Sequence, residues 1–245
     1  MGFEILKHKG LFITATDTGV GKTLIAGAIA KILSEKGKKI GVFKPVATGC
    51  KKTREGLVGE DAEFLALCSD SEFSLADINP ETFEEPAAPY ACEIKESRKV
   101  DLERIITAYN YICSNSDYII VEGIGGVRVP ITENLDVLGL AKMFGLPVVV
   151  VARPGLGTIN HTLLTIDAIR NAQLPLAGII INGYDEPNSD FAQQSAPAII
   201  AEVGRTRILA VVPYDEQVNI GQGEIGNIVP DSLSDIDWLR IIEQR

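Results

Sequence analysis

The chain has 245 residues, 46% hydrophobic and 23% charged, with a formal net charge of −10. That length and mix describe a soluble globular protein with a sizeable core. The acidic balance argues against a nucleic-acid partner, since Lys51-Lys52-Thr53-Arg54 is a short basic run and no larger basic patch accompanies it.

Along the chain, short apolar β-branched runs alternate with stretches of helical spacing. Strands are expected at Leu11–Thr14, Ile40–Phe43, Tyr118–Val121, Val148–Ala152, Ala177–Ile181 and Ile208–Val212. Helices are expected at Lys22–Glu35, Asp61–Leu67, Leu102–Cys113, Asn160–Arg170, Ser195–Val203 and Asp235–Glu243. Strands apolar on both faces and separated by helices imply a mostly parallel sheet covered on both sides. Pro80 to Pro89 is expected as an ordered loop, and no linker or repeat interrupts the pattern, so residues 1–245 are read as a single α/β domain. The isolated Cys50, Cys68, Cys92 and Cys113 show no metal-ligand spacing and fit reduced thiols. No apolar run approaches the roughly 20 residues of a membrane span, and Met1 to Lys9 lacks the apolar core of a signal peptide. The expected setting is therefore cytoplasmic, without membrane contact.

Ligands of open parallel sheets bind beyond the carboxyl ends of the strands. After the first strand comes Ala15-Thr16-Asp17-Thr18-Gly19-Val20-Gly21-Lys22-Thr23, which then opens a helix. This is the context of a phosphate loop. Gly19 and Gly21 allow backbone amides to face phosphate oxygens, Lys22 reaches the terminal phosphates, and the Thr23 hydroxyl suits Mg²⁺. The usual first glycine is replaced by Thr16, so the assignment rests on the strand–loop–helix context. Glu122, expected at the tip of the third strand and followed by Gly123-Ile124-Gly125-Gly126, is a carboxylate suited to the same metal. Asp61, at a helix start, is either a metal ligand or a favourable first-turn acid. Lys44, at the end of a buried strand, is costly without an anion to meet and suits a transferring phosphoryl group. Thr48 and Gly49 follow in the same loop.

These residues resemble the dethiobiotin synthetase family. Thr16-Asp17-Thr18-Gly19-Val20-Gly21-Lys22-Thr23, Lys44-Pro45-Val46-Ala47-Thr48-Gly49, Asp61-Ala62, Asn79-Pro80 with Thr82-Phe83, Val121-Glu122-Gly123 with Gly125-Gly126, and Leu156-Gly157-Thr158-Ile159-Asn160-His161-Thr162 carry the likeness. The resemblance implies a P-loop NTPase fold and an ATP-dependent ligase. Its substrates are 7,8-diaminononanoate and CO2, and its product is dethiobiotin. The implied cofactor is Mg²⁺, held by Thr23, Asp61 and Glu122, with Lys22 and Lys44 as catalytic lysines. Nucleotide contacts are expected from Gly19, Val20, Gly21, Lys22, Thr23, Leu24, Asp61, Glu122, Gly123, Ile124 and Gly125. Asn182 and Gly183 would meet the purine, and Pro213, Tyr214 and Asp215 would flank it. Thr48 is expected to touch the diamine.

The resemblance further implies a homodimer, in which Thr158 and Asn160 at a helix start approach the partner's diamine carboxylate. The apolar face Leu163, Ile166 and Ile169 fits an interface on that reading, while by spacing alone it fits core. His161 is expected in a structural or interface role. Ala15 stands where the family has a leading glycine and Gly155 where some members carry a lysine, and the tail beyond about Asp215 matches poorly. Partition and septum-site ATPases share the sheet, but carry a second lysine five positions before the loop lysine; that position here is Asp17. A non-catalytic binding module has no need of Lys44, Asp61 and Glu122 together. The corrin amide ligases usually carry an additional amidotransferase domain, for which this chain is too short.

Overall fold

The computed structural model describes residues 4–54 and 56–243. Six strands form one sheet: β1 (Gly10–Ala15), β2 (Ile40–Phe43), β3 (Tyr118–Gly126), β4 (Val148–Ala152), β5 (Leu176–Tyr184) and β6 (Ile208–Pro213). Their spatial order is β6-β5-β4-β1-β3-β2, and every pairing is parallel. Side chains alternate across the sheet because the strand period is two. Phe12, Phe43, Val121, Val150 and Ile181 enter one core cluster, and Leu11, Ile13, Val42, Ile120, Val151 and Ile180 enter the other. Two apolar faces require two helical layers.

The layer over the second cluster contains α1 (Lys22–Glu35), α2 (Glu60–Ser69), the single turn α3 (Leu75–Ile78), α9 (Ile228–Ser234) and α10 (Trp238–Glu243). The first cluster is covered by α4 (Pro89–Glu96), α5 (Leu102–Ser114), α6 (Val137–Phe144), α7 (Thr158–Asn171) and α8 (Phe191–Val203). Beneath α5 and α6, the Tyr109 and Phe144 rings stack at 4.1 Å and 14°, and Phe43 meets both at steeper angles. Each such side chain contributes roughly 1.5–3 kcal/mol by leaving water.

Where expectation and structure differ, long-range pairing decides. The third strand does not end at Val121. It runs to Gly126, and Glu122 lies opposite Ile13 inside the ladder. The β1–β3 register jumps between Ile13 and Ala15, so Gly123–Gly125 bulge out where the phosphate loop begins. Asn182 likewise lies within β5, opposite Val212. The helix expected at Asp235–Glu243 is the shorter α10, which starts at Trp238; an unexpected short helix, α9, precedes it, and the Trp238 indole donates to Leu233 O at the joint (3.0 Å). In Pro80–Pro89, Glu81–Thr82 pairs in parallel with Val46–Ala47 before α4 starts at Pro89. The apolar face of α7 is core: Ile166 and Ile169 are fully buried and Leu163 packs against the same cluster, which corrects the reading of that face as an interface.

Candidate active site

The phosphate loop leaves β1 buried at Ala15 and turns back to open α1 at Lys22. Thr16 N donates to Val151 O (3.0 Å), tying the loop base to β4. Gly21 has φ +92°, and a Cβ there would sit 2.2 Å from Asn182 Nδ2. Only glycine satisfies both the left-handed backbone and the close approach. Asn182 Nδ2 donates to Val20 O (3.0 Å), so its amide nitrogen braces the loop. Asp17 Oδ1 accepts from Thr18 N (2.8 Å), and Asp17 Oδ2 is 3.7 Å from Arg153.

Four polar side chains converge beside the loop. Thr23 Oγ1 lies 3.0 Å from Asp61 Oδ1 and 2.9 Å from Glu122 Oε1. Lys44 Nζ lies 2.6 Å from Asp61 Oδ2, 2.6 Å from Glu122 Oε1 and 3.3 Å from Gly123 O. Lys44 and Glu122 are almost completely buried, at 2% and 1% exposure. Burial opposes the charge on Lys44, but Glu122 and Asp61 outweigh it and hold the ammonium above the ordinary lysine range. Burial also opposes the charge on Asp61, yet Lys44 and Thr23 overcome it and hold the carboxyl below the usual range. For Glu122, burial wins and pushes the carboxyl upward. Burial lowers the pKa of Lys22, whose Nζ meets Asp17 O at 3.4 Å.

The cluster suits a hard divalent cation. The Thr23 hydroxyl has one proton and faces two carboxylates, so one contact lacks a hydrogen. Glu122 Oε2 is buried without a partner. All three side chains offer oxygen, as Mg²⁺ prefers. Among the described residues, no group of three or more His, Cys, Asp or Glu forms a metal cage. An ion here would therefore complete its shell with phosphate oxygens and water, the usual habit of Mg²⁺ in nucleotide sites.

A cavity of about 440 Å³ opens in front of the cluster. Its walls include Gly19, Gly21, Lys22, Thr23, Leu24, Lys44, Thr48, Asp61, Glu122, Ile124 and Gly125. The structure thus gathers residues from four separated motifs into one depression. Two further wall residues, Val218 and Ile220, escaped sequence reasoning because they lie in a segment with no motif. Asn79 was read only as part of a motif, but its Nδ2 donates to Lys44 O (2.7 Å) and Glu81 O (3.1 Å) and anchors the lysine's backbone.

Other expected residues lie outside the cavity lining. Asp215 is 7% exposed and accepts from Gln217 N (2.9 Å) and Ile228 N (3.1 Å), pinning both ends of the intervening loop. Gly226, at φ +68°, leaves room for it: a Cβ there would lie 2.2 Å from Asp215 Oδ2. Tyr214 is exposed; Pro213 and Gly183 lie at the ends of β6 and β5. Thr158 is 1% exposed with its hydroxyl sealed from solvent and unpartnered, and its backbone N–H donates to Gly155 O (3.1 Å), which corrects the expectation that it meets a ligand. Asn160 is exposed in the first turn of α7. His161 is half-buried, and its N–H donates to Gly157 O (3.1 Å) within that turn.

Comparison with known proteins gives this arrangement a family. A family model described as an AAA domain matches residues 9–220. An ATP-dependent dethiobiotin synthetase of Thermodesulfovibrio yellowstonii is 37% identical over 234 residues, covering 91% of this chain and 98% of the relative. The synthetase of Bacillus cereus strain G9842 is 40% identical over 208 residues, 84% of each chain. Among solved structures, the MinD cell division protein of Aquifex aeolicus superposes with a TM-score of 0.59 over 97% of this chain and 98% of its own, at 15% identity. That likeness concerns the fold. The near full-length matches at 36–40% identity place the chain in the ATP-dependent dethiobiotin synthetase family of ligases.

Proposed function

We propose that the cavity binds ATP and 7,8-diaminononanoate side by side and closes the ureido ring of dethiobiotin. The supporting observation is the convergence of Lys44, Asp61, Glu122 and Thr23 within hydrogen-bond reach beside the phosphate loop. In this reaction one amine takes up CO2 as a carbamate. The carbamate oxygen attacks the γ-phosphorus, ADP leaves, and a carbamic–phosphoric anhydride results. The second amine then attacks the activated carbonyl, phosphate leaves, and the ring closes.

The chain's residues have defined work here. Amides around Gly19 to Thr23 and the N-terminus of α1 face the phosphates. Lys22 and Lys44 offset the repulsion between carbamate and γ-phosphate and take up charge as the phosphoryl group transfers. Thr48, on the cavity wall, would contact the diamine, and Ile124 and Leu24 supply apolar wall. Thr23, Asp61 and Glu122 would hold Mg²⁺, which when bound neutralises charge on the phosphate oxygens. Val218 and Ile220 offer an apolar surface for the base, while Asn182, Gly183 and Pro213 to Asp215 shape its surroundings rather than the cavity wall.

A homodimer and a cytoplasmic setting complete the proposal. Leu156 at 86% exposure just before α7 and Leu164 at 61% within it are apolar side chains that a second copy would cover. The backbone amides of Ile159 and Asn160 would then face the partner's diamine carboxylate. All four cysteines are free, as reducing surroundings allow, and no helix among the described residues is long and apolar enough to cross a membrane. The test is a product assay with diamine, bicarbonate, Mg²⁺ and ATP, followed by mass spectrometry for the cyclic urea. Release of ADP should require both diamine and bicarbonate. Turnover indifferent to the diamine would instead support a partition-type ATPase switch, the other reading that this fold allows.

A further inference from the structure

The Lys44 ammonium has three N–H donors, and the structure supplies three acceptors: Asp61 Oδ2, Glu122 Oε1 and Gly123 O. No donor remains for a phosphate or a carbamate. Glu122 Oε1 is shared between Lys44 Nζ at 2.6 Å and Thr23 Oγ1 at 2.9 Å. Asp61 is divided in the same way, Oδ2 toward Lys44 and Oδ1 toward Thr23. The lysine therefore satisfies the same two carboxylates that face the Thr23 hydroxyl.

We infer that Lys44 is the resident counter-ion of the Asp61–Glu122 pair in the metal-free protein, and that loading a divalent cation exchanges one cation for the other. This rests on the proposed metal role of Thr23, Asp61 and Glu122. The buried Glu122 carboxylate beside the half-buried Asp61 would be strongly unfavourable without a cation, so the tethered ammonium keeps the cluster folded and charge-balanced. A divalent ion brought to the same oxygens adds positive charge next to an ammonium in a poorly screened site, and the lysine must loosen its hold on at least one carboxylate. Its freed donors then become available to the phosphoryl group and the carbamate. Lys44 is thereby quiet before the metal arrives and competent afterwards, which ties the catalytic lysine to a loaded site.

The exchange makes a prediction of unusual sign. Removing a lysine that serves only phosphate eases metal binding to the nucleotide-free protein only slightly, through the loss of a nearby positive charge. A lysine that occupies the cation seat competes, so removing it tightens metal binding. Mn²⁺ binding to the nucleotide-free protein is measured by the electron paramagnetic resonance of free Mn²⁺, for wild type, Lys44→Met and Lys22→Met. Lys44→Met should bind at least about tenfold more tightly than wild type, and Lys22→Met should gain less. Adding Asp61→Asn to Lys44→Met should abolish the gain. Lys44→Met binding no more tightly than wild type overturns the exchange.

A second measurement uses wild type alone, in case Lys44→Met does not fold. In protein carrying ¹⁵N-labelled lysine and ¹³C-labelled aspartate and glutamate, scalar coupling from Lys44 Nζ to the Asp61 and Glu122 carboxylate carbons should be seen without metal. At least one coupling should be lost on adding Mg²⁺ and ADP. Both couplings persisting at saturation would also refute the exchange. Asp61-independent binding of Mn²⁺ with ADP would undo the underlying metal assignment, and the exchange with it. Asp61-dependent binding that Lys44→Met fails to tighten would sink the exchange alone.

Discussion

Asn79 offers the sharpest test of how the second lysine is held. It is 4% exposed, and its Nδ2 donates to Lys44 O at 2.7 Å and Glu81 O at 3.1 Å, while its Oδ1 has no partner. The value of the side chain therefore lies at its donor end. Asn79→Ala removes two hydrogen bonds to buried carbonyls, each worth about 1 kcal/mol net and more where the carbonyl is left dry, for a loss of roughly 2–4 kcal/mol. For a chain of this size that lowers Tm by roughly 4–16 °C. Asn79→Asp is isosteric, but it sets a buried carboxylate against the same carbonyls and should cost more than Asn79→Ala. Stability is read from urea unfolding, and turnover from ADP release dependent on diamine. Because Asn79 touches the Lys44 backbone and not the cavity, kcat should fall while the KM for ATP changes little. An Asn79→Ala protein less than about 1 kcal/mol less stable than wild type, or Asn79→Asp the milder of the two, would refute this account.

Asp61→Asn and Glu122→Gln should raise the Mg²⁺ concentration needed for half-maximal rate, whereas Asp117→Asn should not. Asp117 caps the opposite end of the sheet, where Oδ2 accepts from Lys39 N at 2.9 Å, and equal damage from Asp117→Asn would undo the assignment. Burial raises the thiols of Cys50 to about 11 and Cys113 to about 12. Because these folded values exceed the unfolded one, their contribution to stability is complete below roughly pH 8.5 and is lost as pH rises toward the folded values. Native protein at pH 8 should resist iodoacetamide at Cys50 and Cys113, and rapid alkylation of the folded chain would contradict the burial. If two subunits share each site, an Asn160→Asp chain and a Lys44→Gln chain, both inactive alone, should regain activity as a heterodimer. One composite site then carries neither lesion, and a proven heterodimer without activity would exclude sharing.

The alternating apolar runs were legible because a parallel sheet covered on both sides leaves every strand hydrophobic, and α1 was readable from Lys22 to Glu35. The site residues were legible where a motif crowds chemistry into a few positions, as in Gly21-Lys22-Thr23. What escaped depended on partners distant in sequence. The extension of β3 through Glu122 follows from pairing with β1, which no local pattern announces. The short α6 breaks its apolar run with Gly139, although Asp136 caps its start and Gly145 follows its end; those two signals could have found it. Val218 and Ile220 reach the cavity only because Asp215 folds the loop back upon itself, a geometry written in hydrogen bonds rather than spacing.

The strand order has a consequence for how the protein is made. β1 leaves the ribosome before the other five strands of its sheet, yet its two neighbours there are β3 and β4. The phosphate loop thus lacks its first flanking strand until roughly 100 further residues have been synthesised, an interval of about 5–20 s at ordinary rates, and its second until roughly 30 more have followed. During that time Phe12, Ile13 and their neighbours are an unpaired apolar segment. Slow, non-local pairing of this kind is where nascent chains are open to aggregation. Truncated chains ending before β4 should therefore engage a holding chaperone and fail to bind nucleotide, whereas chains reaching beyond β4 should begin to acquire protection at β1.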